Sequence, residues 1–193
     1  EQRLQQLRAE GHSLDVITFS GNGEPTLNPD FPGIIDDTLR LRDKYYPDVK
    51  VSVLTNSTML HRPEVVDALR RVDNAILKLD SANDATIRAL DRPTSPGFTA
   101  DKVIAQLADF GPKAIIQTMI TRGSHEGRSI DNSTDAEIDA LIEAYKTIRP
   151  RSIMIYSLDR PTPETRLQRV PREELDRIAS RITAATSIPV SVA

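Results

Sequence analysis

The sequence contains no cysteine and no tryptophan, and aromatic residues make up only 4% of its 193 positions. Without cysteine, these residues cannot form disulfides, zinc–thiolate sites or an ordinary cysteine-ligated iron–sulfur cluster. So few aromatic side chains provide no stacking platform for a nucleic acid. No run approaches the roughly 18 apolar residues that a transmembrane helix needs, so we expect no membrane partner.

The charged residues are balanced in sign. They make up 27% of the chain and give a formal net charge of −3, so no single-sign field indicates DNA, RNA or an anionic membrane as a partner. The length and the 38% apolar content suit one domain, residues 1–193, with a sizeable core. No signal peptide precedes the first predicted strand, and we expect a cytoplasmic location. Because the chain starts at Glu1, without methionine and directly in a helical segment, we also expect a fragment of a longer protein.

Short apolar, β-branched segments alternate along the chain with segments of helical periodicity. Strands are predicted to begin near residues 16, 49, 75, 114, 152 and 188. This spacing of roughly 25 to 40 residues is typical of βα units around a parallel sheet. The polar stretches 121–133 and 157–170 are predicted as loops. Six strands in one series, without a dinucleotide-binding fingerprint, favour an α/β barrel or part-barrel, in which polar chemistry lies at the C-terminal ends of the strands.

The first predicted strand, Val16–Phe19, leads into a turn made of Ser20, Gly21, Asn22, Gly23 and Glu24. Two glycines remove the Cβ atoms that would hold a ligand away from the backbone, and Glu24 adds a carboxylate beside the N–H groups of the turn. This combination suits a small ligand that carries both an amine and a carboxylate. The alternative is a tight strand-to-helix connection without a ligand, because short glycine motifs are common.

The third predicted strand carries a lysine and an aspartate at alternate positions. The strand period puts Lys78 and Asp80 on one face and Leu77 and Leu79 on the other. A buried lysine beside a carboxylate is costly unless the two are paired. One interpretation is a structural ion pair, and another is the Schiff-base lysine of an aldolase-like barrel.

Other polar residues carry weaker signals. Gln117 interrupts an apolar strand, where its amide can bind a ribose hydroxyl or a neighbouring backbone group. Asn56 follows a strand and either caps the next turn or contacts a ligand. The three histidines, His12, His61 and His125, are too dispersed for a metal site, so we expect solvated side chains and no metal ligands.

Several segments together resemble the radical S-adenosylmethionine superfamily. Residues 17–27, Ile-Thr-Phe-Ser-Gly-Asn-Gly-Glu-Pro-Thr-Leu, are similar to the strand and cofactor-gripping turn that carry the family's Gly-Gly-Glu-Pro motif. Residues 53–56, 77–81, 116–119 and 155–164 resemble later strands of the branch that includes wyosine-type tRNA-modifying and activase-like iron–sulfur oxidoreductases. The resemblance spans nearly the whole chain.

The resemblance implies a partial (β/α)6 TIM-type barrel that binds S-adenosylmethionine along its strand ends. It places the turn 20–24 near the amino group of the cofactor. The other cofactor-binding candidates are polar residues at later strand ends, the last two of them near the adenine: Asn56, Asp80, Ser81, Gln117, Tyr156 and Ser157. Lys78 and Arg122 are candidates for binding a substrate. Neither the identity of the substrate nor any catalytic residue is assigned.

The chain departs from the family pattern before its first predicted helix. The family carries a Cys-x-x-x-Cys-x-x-Cys loop after its first strand, and those thiolates hold a [4Fe–4S] cluster that delivers the electron for cofactor cleavage. This chain has no such loop. The resemblance therefore implies an N-terminally truncated barrel that lacks the first strand and is itself inactive. The full-length parent would carry the cluster and be the enzyme.

Two further interpretations stay open beside this one. The first is an aldolase-like barrel that depends on Lys78, and the second is a non-catalytic binding domain. A barrel that lacks its first strand exposes the edge of Val16–Phe19. We therefore expect edge pairing or dimerisation at that strand.

Overall fold

A computed structural model describes residues 1–21, 23–125, 127–159 and 166–193 of the chain. Asn22, one of the candidate cofactor contacts, lies outside the described residues. The chain divides into two compact units, Glu1–Ile76 and Leu77–Ala193. The assignment of residues 1–193 to one domain stays a prediction. Among the described residues, no helix combines the length and apolarity needed to cross a membrane.

The first unit alternates helices with parallel strands, as predicted. Its elements are α1 (Gln2–Ala9), β1 (Val16–Phe19), a 3-10 helix (Pro25–Leu27), α2 (Phe31–Tyr45), β2 (Lys50–Thr55), α3 (Pro63–Arg71) and the start of β3 (Asn74–Lys78). The strands follow the order β1-β2-β3. In the parallel pair β1–β2, Val16 lies opposite Lys50 and Phe19 lies opposite Val53. The bounds predicted for β1 are confirmed.

The second unit continues from the end of β3 and contains two kinds of sheet. Its elements are α4 (Asp84–Asp91), α5 (Ala100–Phe110), β4 (Ala114–Met119), β5 (Thr121–His125), β6 (Arg128–Asp131), α6 (Asp135–Ile148), β7 (Ser152–Tyr156), β8 (Leu167–Arg169), α7 (Arg172–Thr186) and β9 (Val190–Val192). One sheet has the order β3-β4-β7-β9, with parallel pairing of β4 with β7 and of β7 with β9. The predicted α/β class with a parallel sheet is therefore confirmed.

The core of the second unit follows from the periodicity of its sequence. In α6, Ile138, Leu141, Ile142 and Tyr145 recur at helical spacing and are all buried, as an amphipathic helix requires. In β3, Leu77 is completely buried whereas Lys78 is partly exposed. The two faces of the strand thus differ in burial, as the period of two predicts.

The prediction that 121–133 is a loop is wrong. Strands β5 and β6 form an antiparallel hairpin, and β8 joins it in the order β6-β5-β8. Residues 166–170 of the second predicted loop therefore include a strand. The hairpin depends on Gly123, whose φ is +140°, and a Cβ atom there would lie 2.2 Å from the backbone oxygen of Arg166. The sequence of the hairpin is polar and lacks the alternation of β-branched residues by which strands are recognised.

The starts of α6 and α7 are formed in different ways. The Thr134 hydroxyl accepts a hydrogen bond from the Glu137 N–H at 3.3 Å, as in half of a capping box. The Glu137 carboxylate, however, accepts hydrogen bonds from other residues and does not complete the box. Pro171 precedes α7 as its N-cap.

Candidate functional site

Glu24 ties the turn after β1 to the end of β2. Its Oε1 accepts hydrogen bonds from the Thr26 N–H at 3.0 Å, the Thr26 hydroxyl at 2.5 Å and the Thr55 hydroxyl at 2.6 Å. Its Oε2 accepts from the N–H of Asn56 at 2.7 Å. Hydrogen bonds to an ionised group are about twice as strong as neutral ones. The carboxylate therefore fixes the end of the turn against β2.

The rest of the turn leaves open space around its backbone. Ser20, Gly21 and Gly23 are exposed. A Cβ atom built on either glycine would have no heavy atom within 4 Å beyond its chain neighbours. The fold of the chain therefore does not need glycine there for space, and the exposed backbone is free to meet a ligand.

The polar residues after β2 form a tight turn of their own. The Asn56 Oδ1 accepts hydrogen bonds from the Thr58 N–H at 3.0 Å and the Thr58 hydroxyl at 2.7 Å, which is the capping alternative for Asn56. The Thr55 hydroxyl accepts from the Ser57 N–H at 3.2 Å while it donates to Glu24. Asn56 itself is exposed, so its side chain is accessible to a ligand. Its contact with a cofactor stays a prediction.

In the second unit, Lys78 lies between two carboxylates. Its Nζ is 2.8 Å from the Asp80 Oδ2 and 2.7 Å from the Asp91 Oδ1. The Asp80 side chain is completely buried, and its Oδ1 accepts a hydrogen bond from the Met119 N–H at 2.9 Å. The Lys78 side chain is 27% exposed. The geometry is that of a structural ion pair, which was the first of the two interpretations of this lysine.

The pKa values of this cluster follow from burial and from the neighbouring charges. Burial raises the pKa of Asp80 to about 7, although the Lys78 ammonium opposes that shift. Burial alone would lower the pKa of Lys78, but Asp80 and Asp91 raise it overall. Burial, with the charges of Asp80 and Asp91, also raises the pKa of Tyr156. Lys78 thus stays an ammonium at neutral pH, which disfavours it as a nucleophilic amine.

Two of the candidate serines are buried and bonded within the chain. The Ser81 hydroxyl donates to the Glu137 Oε2 at 2.7 Å, and the Glu137 Oε1 accepts from the Thr86 hydroxyl at 2.6 Å. The Ser157 hydroxyl accepts a hydrogen bond from the Val170 N–H at 2.8 Å. Both serines therefore hold the exits of their strands, and a contact with a cofactor stays a prediction.

Gln117 and Tyr156 lie on the same face of the parallel sheet in the second unit. The register of β4 and β7 places Gln117 opposite Met154 and Met119 opposite Tyr156. All four are partly exposed, whereas the alternate residues of both strands are buried. This face is the polar and sulfur-bearing side of the sheet, on which the candidate nucleoside contacts lie together.

Asn132 is a buried polar residue that the sequence analysis missed. Its Nδ2 donates to the Asp80 carbonyl at 2.8 Å and the Met119 carbonyl at 2.6 Å, and its Oδ1 accepts from the Thr121 N–H at 2.8 Å. It joins the base of the hairpin to the ends of β3 and β4. A single asparagine in a polar stretch carries no signal for such a role.

Arg122, the other candidate for substrate binding, pairs with Glu174.

The histidines take little part in these contacts. His12 and His61 are exposed as expected, and the side chain of His125 lies outside the description. Across residues 1–21, 23–125, 127–159 and 166–193, no group of three or more His, Cys, Asp or Glu side chains is arranged to hold a metal ion.

The chain is similar to several known proteins. A GTPase Obg of Brachyspira hyodysenteriae is 25% identical over 98% of this chain, which spans about a quarter (26%) of that relative's length. A domain of a pyruvate-formate lyase-activating enzyme from Bacteroides vulgatus has a TM-score of 0.64 at 22% identity, over 93% of this chain and 99% of that domain. Streptococcus suis SuiB bound to S-adenosylmethionine has a TM-score of 0.68 at 16% identity, over all of this chain and 42% of SuiB. At these identities the two structures establish a shared fold.

The family model described as the Radical SAM superfamily matches residues 1–126. The match includes β1, the turn with Glu24 and the Lys78–Asp80 segment, and it covers well over half of the chain. The resemblance to this superfamily that the sequence predicts is therefore confirmed, whereas the role of the glycine turn stays a prediction. The chain belongs to the Radical SAM superfamily.

Proposed function

We propose that the chain is the S-adenosylmethionine-binding barrel of a radical S-adenosylmethionine enzyme. The observation that carries the proposal is the turn 20–24, which lies inside the family match and is joined through Glu24 to Thr55 and Asn56. The exposed backbone at Gly21 and Gly23 has room for a ligand. Backbone N–H and C=O groups in such a turn can pair with the carboxylate and the ammonium of a methionine group.

The proposal includes a partial (β/α)6 TIM-type barrel that lacks its first strand. Support comes from the alternation of helices with strands and from the parallel pairs β1–β2, β4–β7 and β7–β9. In barrels of this type, ligands bind at the C-terminal ends of the strands. Asn56, Asp80 and Ser157 each follow the end of a strand and fit that rule.

The residues of this chain fit S-adenosylmethionine but do not fit a [4Fe–4S] cluster. The sequence has no cysteine, and the cluster needs thiolate ligands. In the proposal the cluster therefore belongs to the full-length parent, where bound S-adenosylmethionine supplies radical chemistry after its reductive cleavage. The 193-residue chain alone binds the cofactor and does not cleave it.

The proposed contacts are assigned separately in each unit. In the first unit, the turn 20–24 and Asn56 contact the amino acid part of the cofactor. In the second unit, the open face that carries Gln117 and Tyr156 contacts the adenosine part, together with the adjacent Ser157. Asp80 and Ser81 are buried, and they hold the end of β3 through their contacts with Met119 and Glu137.

Binding of S-adenosylmethionine to the purified 193-residue chain tests the proposal. Equilibrium dialysis should detect binding to the wild type and at least a tenfold weaker affinity in Gly21→Val. A Cβ atom at Gly21 meets no atom of the chain itself, so a weaker affinity reports a clash with the ligand. Gly33→Ala in α2 is the matched control, because its added Cβ atom is equally free of contacts.

The outcomes separate binding from folding. Equal thermal stability of all three proteins, with weak binding in Gly21→Val alone, supports the ligand position. A wild type that does not bind, or equal affinity in all three proteins, refutes the proposal. Both outcomes are measured as binding affinity and thermal stability and not as catalytic activity. The absence of the cluster therefore does not affect the result.

A Lys78-dependent aldolase-like barrel is the competing function. It requires a neutral amine at Lys78 that attacks a carbonyl carbon and loses water to form a Schiff base. Reduction with borohydride in the presence of small keto acids and aldehydes should leave Lys78 unmodified, because Asp80 and Asp91 hold its charge. A stable mass increase on Lys78 would favour the aldolase. A non-catalytic binding domain is favoured if the parent gene encodes no three-cysteine loop.

We also propose that β1 pairs with a second copy of the chain. β1 is the first strand in the sheet order, and Val16 is 45% exposed. An unpaired strand edge offers N–H and C=O groups to another strand. Nothing in the charge distribution favours a nucleic acid as partner.

A further inference from the structure

Asn132 makes two separate sets of contacts in the second unit. Toward the hairpin, its Oδ1 accepts a hydrogen bond from the Thr121 N–H at 2.8 Å, and its own N–H donates to the Thr121 carbonyl at 3.2 Å. Toward the parallel sheet, its Nδ2 donates to the carbonyls of Asp80 at 2.8 Å and Met119 at 2.6 Å. The first set closes the base of the hairpin, whereas the second set acts on the ends of β3 and β4.

These contacts leave one orientation for the Asn132 amide. Asn132 is completely buried, and buried polar groups without a partner are costly. Its side-chain oxygen lies against an N–H donor and its nitrogen against two carbonyl oxygens. Exchanging the two atoms would place the oxygen against both carbonyls and break all three bonds. The amide is therefore a fixed donor to the carbonyls of Asp80 and Met119.

Asp80 is tied to Met119 by both its side chain and its main chain. Its Oδ1 accepts a hydrogen bond from the Met119 N–H at 2.9 Å, and Asn132 joins the carbonyls of the same two residues. The other carboxylate oxygen, Oδ2, is 2.8 Å from the Lys78 Nζ. Because an aspartate side chain is short, fixing its main chain and Oδ1 also fixes the direction of Oδ2. The position of the Lys78 ammonium therefore depends on the contacts of Asn132.

Lys78 lies close to Tyr156, on the partly exposed side of the sheet. Both side chains are partly exposed. Burial raises the pKa of Tyr156, the charges of Asp80 and Asp91 raise it further, and the charge of Lys78 lowers it. These groups are therefore near enough to act on one another. Tyr156 belongs to the face to which we assigned the adenosine part of the ligand.

We propose that Asn132 is a positioning residue for the Lys78–Asp80 pair. Through its bonds to the main chain at Asp80 and Met119, it directs the Asp80 carboxylate to Lys78 and so fixes the ammonium beside the ligand-binding face. The alternative is that Asn132 only anchors the hairpin. This inference deepens the proposed function and rests on it, because that function places a ligand on this face.

A double-mutant cycle between Lys78→Met and Asp80→Asn measures how strongly the two residues are coupled. The free energy of unfolding is measured by urea titration at about pH 8, above the folded pKa of Asp80 of about 7. The cycle is carried out in the wild type, in Asn132→Ala and in Thr121→Val. Thr121→Val is the matched control, because it removes the hydroxyl that donates to the Gln168 carbonyl of β8 and keeps the main chain of the hairpin base.

We expect the coupling between Lys78 and Asp80 to fall by about half or more in Asn132→Ala and to stay unchanged in Thr121→Val. A residue that only anchors the hairpin would lower the stability of every protein in the cycle equally and leave the coupling unchanged. Acetylation of Lys78 by acetic anhydride, measured by mass spectrometry relative to the exposed Lys146, should also become about fivefold faster in Asn132→Ala. The reason is that an ammonium without a directed carboxylate loses its proton more readily.

Unchanged coupling in Asn132→Ala, or an equal fall in Thr121→Val, would overturn the inference. A wild type in which Lys78 and Asp80 are not coupled would overturn it as well. If Asn132→Ala does not fold, Asn132→Ser, which keeps one hydroxyl donor, replaces it and should still reduce the coupling.

A measurement on the wild type decides the case if neither variant folds. The side-chain N–H protons of Asn132 should exchange with solvent about a hundredfold more slowly than those of Asn28, which is exposed. Equal exchange would refute the hydrogen bonds on which the inference depends. None of these measurements uses S-adenosylmethionine, so a wild type that does not bind it refutes the proposed function alone.

Discussion

Asp80 is expected to make the free energy of unfolding depend on pH. Burial raises its pKa from 3.8 to about 7, and the protonated form is therefore favoured in the folded state. The stabilisation is complete below the unfolded pKa and is lost as the pH rises through the folded one. At about 1.4 kcal/mol per pKa unit, the whole shift corresponds to about 4 kcal/mol. Between about pH 5 and about pH 8 the loss is about 3 kcal/mol.

The substitution Asp80→Asn removes the titrating group and keeps an oxygen that can accept the Met119 N–H. Urea unfolding across this pH range should show a fall in the wild type that is about 3 kcal/mol larger than the fall in the variant. Lys78→Met should move the fall to higher pH, because the Lys78 ammonium lowers the pKa of Asp80. Asp176→Asn, on the exposed face of α7, is the control and should follow the wild type. Parallel curves for wild type and Asp80→Asn would refute the reasoning.

The remaining predictions concern the hairpin, its anchor and the sheet edge. Gly123→Ala should lower the free energy of unfolding by about 2 kcal/mol or more, since its Cβ atom would lie 2.2 Å from the Arg166 oxygen. The control Gly33→Ala, measured by the same urea titration, should not lower the free energy of unfolding. Asn132→Ala should lower the free energy of unfolding by about 3 kcal/mol, because three backbone groups, two of them in buried contacts, lose their partner. A loss under about 1 kcal/mol would contradict this. Val16→Lys at the edge of β1 should reduce self-association in sizing and light scattering, and a wild type that stays monomeric at high concentration would exclude the edge pairing.

The regular elements of the chain could be predicted because their signals are local. The apolar run of β1 has confirmed bounds, and the stripe of α6 is buried as its spacing predicts. The hairpin β5–β6 could not be predicted in this way. Its residues are polar, and it is stabilised by β8, which lies about forty positions further along the chain. Gly123 resembled a loop residue, whereas its function is to admit the backbone at Arg166.

The features of the candidate site likewise differ in whether the sequence could predict them. The glycine turn and the Lys78–Asp80 pair were recognised from the sequence, because each is a short segment with its own pattern. The burial of Ser81 and Ser157, and their hydrogen bonds to distant partners, were not. A buried hydroxyl and an exposed one look the same in a sequence.

The sequence by itself determined the alternation of strands and helices and the place of the glycine turn, since residue spacing and turn chemistry act between neighbours. Only the tertiary structure decided which groups meet. Glu24 and Thr55 are 31 positions apart, and Ser81 and Glu137 are 56 positions apart. Hydrogen bonds act over about 3 Å, so partners that are distant along the chain are selected by the folded backbone that brings them within that range.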